Sequence, residues 1–153
     1  MKLLMFSDSH GNEQAMRRAM EAHPDATGVV FLGDGAAEAL RLSAEDDPRP
    51  WHIVSGNCDV DRRLVRRDVI SFGGHRIYIT HGHAEHVKSD LLRLSFAALE
   101  QDCEAAFYGH THIPDTTFYN GVQLFNPGSI GQSGAYGTAE IRGGVLYTTH
   151  HRL

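Results

Sequence analysis

"EAAFYGHTH", residues 104–112, runs from a short apolar segment straight into two histidines one residue apart. The apolar run reads as a strand. Histidine is a poor core residue and an indifferent surface one, but it is a good metal ligand. The same design recurs along the chain. "LLMF" runs into "SDSHGN" and presents Asp8 and His10; "VVFL" runs into "GDG" and presents Asp34. "HIVS" runs into "GNCD" and presents Asn57, and "IYIT" runs into "HGH" and presents His81. With His110 and His112, five apolar runs end in a polar motif. Ligand sites in open α/β sheets form beyond the carboxyl ends of the strands, so neighbouring strands would gather these motifs on one rim.

The intervening pattern fits that reading. "KLLMF" (2–6), "ATGVVFL" (26–32) and "WHIVS" (51–55) read as strands. Between them, "NEQAMRRAMEAH" (12–23) and "AAEALRL" (36–42) read as helices, the first with Asn12 as N-cap. "VISFGGHRIYITH" (69–81) reads as a hairpin turning at Gly73-Gly74, and "VKSDLLRLSFAALE" (87–100) as a helix with Val87, Leu91, Leu94 and Ala98 on one stripe. The period then shortens to two, and "EAAFY", "DTTFYN", "VQLFN", "AYGTAEIR" and "GVLYTTHH" read as mostly antiparallel strands. "SAEDDPRP" (43–50) reads as a polar loop. The order βαβαβ followed by β predicts two packed sheets with helices outside, in a single domain over 1–153.

Composition bounds the function. The 153 residues are 41% hydrophobic and 22% charged, and no stretch reaches the ~18 apolar residues of a membrane span. A formal charge of −5 argues against general nucleic-acid coating. Cys58 and Cys103 form no disulfide framework, and with no signal-peptide pattern at the start a cytoplasmic location is expected.

The donor set is Asp8, His10, Asp34, Asn57, His81, His110 and His112. It is too large for one tetrahedral zinc and suits two divalent ions sharing a carboxylate. Asp8 and His10, like His110 and His112, alternate by two, so an extended backbone would point both members of each pair the same way. Gly33, Gly56, Gly82 and Gly109 beside them would let the backbone turn and approach an ion.

Together "DSH", "GD", "GNCD", "HGH", "GHTH" and "NPGS" (126–129) resemble the calcineurin-like metallophosphoesterase superfamily, in particular its small single-domain branch of bacterial and archaeal phosphodiesterases. That resemblance implies a four-layer α-β-β-α sandwich of two mixed sheets flanked by helices. It implies a binuclear centre with Asp8, His10 and His112 on one metal, Asn57, His81 and His110 on the other, and Asp34 between them. Manganese, nickel, iron or zinc would serve. Two such ions about 3.5–4 Å apart acidify a bridging water, and the resulting hydroxide would attack a phosphodiester in line. The substrate would be a small phosphate ester, with a nucleotide among the candidates, and the branch allows a homodimer. Phosphomonoesterase, nucleotide pyrophosphatase, metal sensor and metal-binding scaffold, the last after a retromer coat subunit that resembles this branch, are the alternatives.

One position departs from the wider family, where Gly-Asn-His-Asp supplies a histidine as proton donor: here it is Cys58. A thiol with a pKa near ~8.5 is a weak replacement. Asp59 is a candidate to orient Asn57 or a histidine, and His83 or His86 to supply the acid. "RRLVRR" (62–67) reads as a solvated segment or as a grip on a second phosphate. "NPGS" reads as a rim-shaping turn; His23, His52, His75, His150 and His151 have no assigned role, the last two being expected at an exposed strand end.

Overall fold

The computed structural model describes residues 1–45 and 47–153; Asp46, within the expected loop 43–50, lies outside the described residues. In chain order the elements are β1 (Lys2–Phe6), α1 (Glu13–Ala22), β2 (Gly28–Phe31), α2 (Ala36–Ala44), β3 (Trp51–Ile53), β4 (Arg67–Phe72), β5 (His75–Thr80), α3 (Leu92–Glu100), β6 (Ala105–Phe107), β7 (Asp115–Tyr119), β8 (Val122–Asn126), α4 (Ile130–Ser133), β9 (Ala135–Arg142) and β10 (Val145–Arg152). They build two five-stranded sheets, ordered β10-β9-β1-β2-β3 and β4-β5-β6-β8-β7.

The alternation of side chains along each strand separates four layers. Leu3 and Met5 of β1 turn toward the other sheet, with Phe107 of β6 and Phe125 in β8. Leu4 and Phe6 turn the opposite way, onto Met16 of α1 and Ala39 and Leu42 of α2. In β6 the same split puts Ala105 and Phe107 between the sheets, and Ala106 beneath Leu94 and Ala98 of α3. Three apolar clusters thus fill three interlayer gaps of an α-β-β-α sandwich. β1 and β2 are buried on both faces apart from Lys2, which explains their unbroken apolar runs. Asn12 caps α1 as expected, its side chain accepting from the Ala15 N–H.

Two expectations change. The helix expected from residue 87 begins at Leu92, with Leu91 at its N-cap position; just before it Asp90 accepts the Leu92 N–H at 3.0 Å, a local side-chain turn that competes with helix. Val87 and Leu91 still pack with Leu94 and Ala98, so the apolar stripe is real while its first part is turn. The later strands are also less antiparallel than their period suggests: β6 pairs parallel with both β5 and β8.

The C-terminal histidines are engaged. The His150 ring stacks on Phe125 with centroids 4.4 Å apart, and His151 stacks on Tyr136 at 5.1 Å, with His23 against its edge. Cys103 is buried and Cys58 exposed, both as free thiols. Among the described residues no helix is long and apolar enough to cross a membrane.

The parallel triplets set the position of the site. β1, β2 and β3 are parallel neighbours in one sheet, and β5, β6 and β8 in the other. Each triplet discharges its polar motifs at its carboxyl edge, and the two edges face one another.

Candidate metal centre

Six of the seven expected donors meet in two groups. Asp8, His10 and His112 form one, and Asp34, His81 and His110 the other; within each group the ligand atoms lie within 4.8 Å of one another. The groups adjoin. Asp34 Oδ2 is 3.3 Å from His81 Nε2 and 3.9 Å from His10 Nε2. Asp8 Oδ1 is 3.1 Å from His112 Nε2, 3.6 Å from His10 Nε2 and 3.9 Å from His81 Nε2. Asn57 follows β3 at the same edge, exposed, with its amide toward Cys58 Sγ at 3.5 Å.

The convergence does not come from an extended backbone. Asp8, His10, Asp34, His110 and His112 have φ of 53°, 42°, 61°, 71° and 64°. This left-handed region is uncommon for residues other than glycine and costs about 1–3 kcal/mol each. Hydrogen bonds impose it. The Asp8 N–H donates to Gly33 O at 2.9 Å and the His10 N–H to Asp34 O at 3.1 Å. The Asp8 carbonyl accepts from the Ser129 hydroxyl at 2.8 Å and the Gly131 N–H at 3.2 Å. "NPGS" therefore shapes the rim: Ser129 is fully buried with its hydroxyl committed, while Asn126 Nδ2 donates to Gly109 O and to Thr111 Oγ1. The glycines make room for protein. A Cβ on Gly56 would collide with the Asp34 carboxylate, and one on Gly33 would sit 2.6 Å from the Gly56 nitrogen.

Neighbouring groups aim the ligand atoms. His81 Nδ1 is 2.7 Å from the Leu32 carbonyl, which can only accept, so Nδ1 carries the proton and Nε2 faces the centre. His112 Nδ1 donates likewise to Gln132 Oε1 at 2.7 Å. Gln132 was not expected. Its sequence signal is the Ser129-x-x-Gln132 spacing of a capping box, and Ser129 Oγ does accept the Gln132 N–H at 2.9 Å. The Gln132 side chain, however, serves His112.

The donor set fits metal ions. Asp8 is fully buried; its Oδ2 accepts from the Ser7 hydroxyl at 2.5 Å and the His110 N–H at 3.0 Å, yet its Oδ1 has no hydrogen-bond partner. A buried, unpaired carboxylate oxygen among three imidazole nitrogens is costly unless a cation sits against it. Asp34 and His81 tell the same story. Burial opposes ionisation of Asp34, but the His81 contact and the Cys58 N–H at 2.9 Å outweigh it and hold the carboxyl well below its usual range. Burial likewise opposes a charge on His81, while Asp34 and Asp8 draw its pKa up. A bound cation would displace that proton. His110 is pushed down to about 4, by burial first and then by His81 and Lys88, so it stands ready as a neutral ligand.

Asp8→Asn tests the fit. The amide oxygen can still accept from Ser7 and His110, while the orphaned charge disappears. Chelator-treated Asp8→Asn protein is expected to melt about 3–6 °C above chelated wild type, and added manganese should raise its melting point far less. Thermal unfolding with and without metal measures both; a lower melting point for the chelated variant would contradict the assignment.

Asp59 differs from expectation. It touches neither Asn57 nor a histidine, because its carboxylate accepts four backbone N–H groups: Asp34 and Gly56 on Oδ2, both at 2.8 Å, and Gly35 and Ala36 on Oδ1, both at 3.0 Å. It ties the turn after β3 to the turn after β2. Cys58 lines the mouth, its thiol pushed up by partial burial and then by Asp34. His83 stands 5.5 Å from the His81 ring and 6.2 Å from His110, with a buried Nδ1 that has no partner; burial, then His81 and Arg66, lower its pKa. His86 is exposed. In the basic segment, Arg63 is tied to Asp61 by two contacts of 3.0 and 2.7 Å, and Arg62, Arg66 and Arg67 are exposed.

Comparison with known proteins agrees with this architecture. The model of the calcineurin-like phosphoesterase superfamily domain matches residues 1–150, and the chain belongs to that family. It is a metal-dependent phosphoesterase by that membership. It is 30% identical to "Probable metallophosphoesterase YsnB" of Bacillus subtilis over 131 residues, 85% of this chain and 75% of the relative. It is 29% identical to "Phosphodiesterase YfcE" of Escherichia coli over 153 residues, covering 85% of this chain and 79% of the relative. The fold matches an archaeal phosphodiesterase with a TM-score of 0.79 at 21% identity, over 99% of this chain and 100% of the other. Zinc-bound Vps29 of Entamoeba histolytica matches with a TM-score of 0.76 at 21% identity, over 99% of each.

Proposed function

We propose that the protein hydrolyses phosphodiesters at a binuclear centre, with manganese as the metal to test first. The observation that carries the reading is the pair of adjoining donor groups with Asp34 Oδ2 between them. Asp8, His10 and His112 would hold one ion, and His81, His110 and Asn57 the other, with Asp34 shared. When bound, the ions supply Lewis-acid stabilisation of phosphoryl oxygens and an acidified water.

The chain's own groups do the rest. The Leu32 carbonyl and Gln132 fix the tautomers of His81 and His112. Asp59 fixes the backbone that presents Asp34 and Asn57. Cys58 and His83 are the protonatable groups left at the rim, and neither matches a well-placed imidazolium as an acid. A weak acid suits esters whose alcohol leaves easily. A cavity of ≈ 510 Å³ opens beside His10, Asp34 and Cys58, walled by Leu40, Val60 and Arg63. It offers an esterified alcohol room that a monoester would not use, and the diesterase name of the Escherichia coli relative points the same way. A cytoplasmic location belongs to the same reading, supported by two free thiols.

Turnover of bis-(p-nitrophenyl) phosphate and p-nitrophenyl phosphate, side by side with manganese, tests it. The diester is expected to be the better substrate by kcat/KM. Faster release from the monoester would move the assignment to a phosphomonoesterase. No hydrolysis of either by metal-loaded protein would leave a metal-binding module.

A further inference from the structure

Helix α3 is apolar on two sides. Leu94, Ser95 and Ala98 are buried against the sheet. On the far side Leu92, Phe96 and Leu99 are 38%, 50% and 43% exposed. Steps of four and three residues place these three on one stripe. A surface helix ordinarily turns polar residues to solvent, as α1 does with Gln14, Arg18 and Glu21. The hairpin between β7 and β8 widens the patch. Asn120 Nδ2 donates to Ser95 Oγ at 3.2 Å, and Tyr119, 39% exposed, pairs across the strands with Val122, which packs in the α3 cluster.

We propose that this face joins two copies of the chain, with α3 crossing its symmetry mate antiparallel near Phe96. The charges on the helix select this occupant and this direction. Arg93 and Glu100 are its only charged side chains, seven residues apart on one flank of the stripe, and both are exposed. Among the described residues neither belongs to an ion pair within the chain, although Glu100 lines the same cleft as Arg67. Reversing the helix direction across a two-fold axis sets Arg93 of one copy against Glu100 of the other, twice. A parallel arrangement would set that flank against the opposite one of the mate and leave both charges without a partner. A two-fold contact must be self-complementary, and a stripe centred on Phe96 with opposite charges toward its two ends meets that requirement. With three exposed apolar side chains on the stripe, association in the micromolar range is expected.

Sedimentation velocity of the full metal-loaded chain, from about 2 to 200 µM, tests the proposal. Wild type is expected to shift from monomer to dimer, and Phe96→Asp to stay monomeric throughout. Arg93→Glu should weaken association about ten-fold or more by setting like charges together, and Arg93→Glu combined with Glu100→Arg should restore it to within about three-fold. The paired exchange decides the matter even if Phe96→Asp fails to fold. A wild type that remains monomeric at the top concentration overturns the proposal and leaves the patch to a different protein. So does a dimer that ignores the charge exchange, which would place the contact on another face.

Discussion

Asp34→Asn is expected to lower kcat/KM for an activated phosphate ester by about 10³-fold, with a matching loss of bound metal. The estimate starts from removal of groups that merely orient metal ligands, which costs about 10–100-fold; Asp34 is proposed as a ligand to both ions. Its Oδ1 accepts the Cys58 N–H at 2.9 Å, and an amide oxygen can keep that bond. Its Oδ2 faces His81 and His10, and there the substitution puts a neutral NH₂ where a carboxylate stood. One of the two carboxylates in the donor set disappears while the backbone stays anchored through Asp59. Metal content by elemental analysis, measured with turnover at saturating manganese, gives the result. Activity within ten-fold of wild type, with metal retained, would mean that the two donor groups do not share this residue.

The site was legible in the sequence because strand ends are local. An apolar run, a glycine and a short polar motif are contiguous, and sheet topology carries the motifs to one edge. Asp8, His10, Asp34, His81, His110 and His112 were therefore found without knowledge of the fold, and the structure assembles them. The groups that aim them were not. Gln132 reaches His112 from twenty residues away, and the proton on His81 is set by a backbone carbonyl, Leu32, that no side-chain pattern reveals. The reason for convergence is not in the spacing either. Alternation by two implies extended backbone, whereas Asp8, His10, His110 and His112 lie in the left-handed region, the N–H groups of the first three held by chain segments remote in sequence. In the fold, α3 starts later than its apolar stripe because the stripe continues into a turn, where Asp90 bonds the Leu92 N–H. The outward stripe Leu92, Phe96, Leu99 does not stand out in the sequence because the buried stripe accounts for the helix on its own.

Asp59 gives the second large effect, of a different kind. Its carboxylate gathers four backbone N–H groups at 2.8–3.0 Å, and all four belong to the two turns that present Asp34 and Asn57. Hydrogen bonds to a charged acceptor contribute about 1.5–3 kcal/mol each when intact, but this carboxylate is only half-buried and water can enter behind a truncated side chain. Asp59→Ala is therefore expected to cost about 3 kcal/mol, or about 6–12 °C in the melting temperature of a domain this size. Asp59→Asn should recover little, because one amide oxygen replaces two acceptors and the NH₂ is turned against N–H donors. Turnover should fall about 10–100-fold as the turns loosen. The contrast with Asp34→Asn separates the roles: Asp59→Ala should lower the melting point of chelated protein and keep much of the rise on adding metal, whereas Asp34→Asn should abolish that rise. Thermal unfolding of both variants by circular dichroism, with chelator and then with manganese, makes the comparison. A chelated Asp59→Ala protein that melts within 2 °C of wild type would show that the turns hold their shape by other contacts, and that the Gly-Asn-Cys-Asp motif ends its work at Cys58.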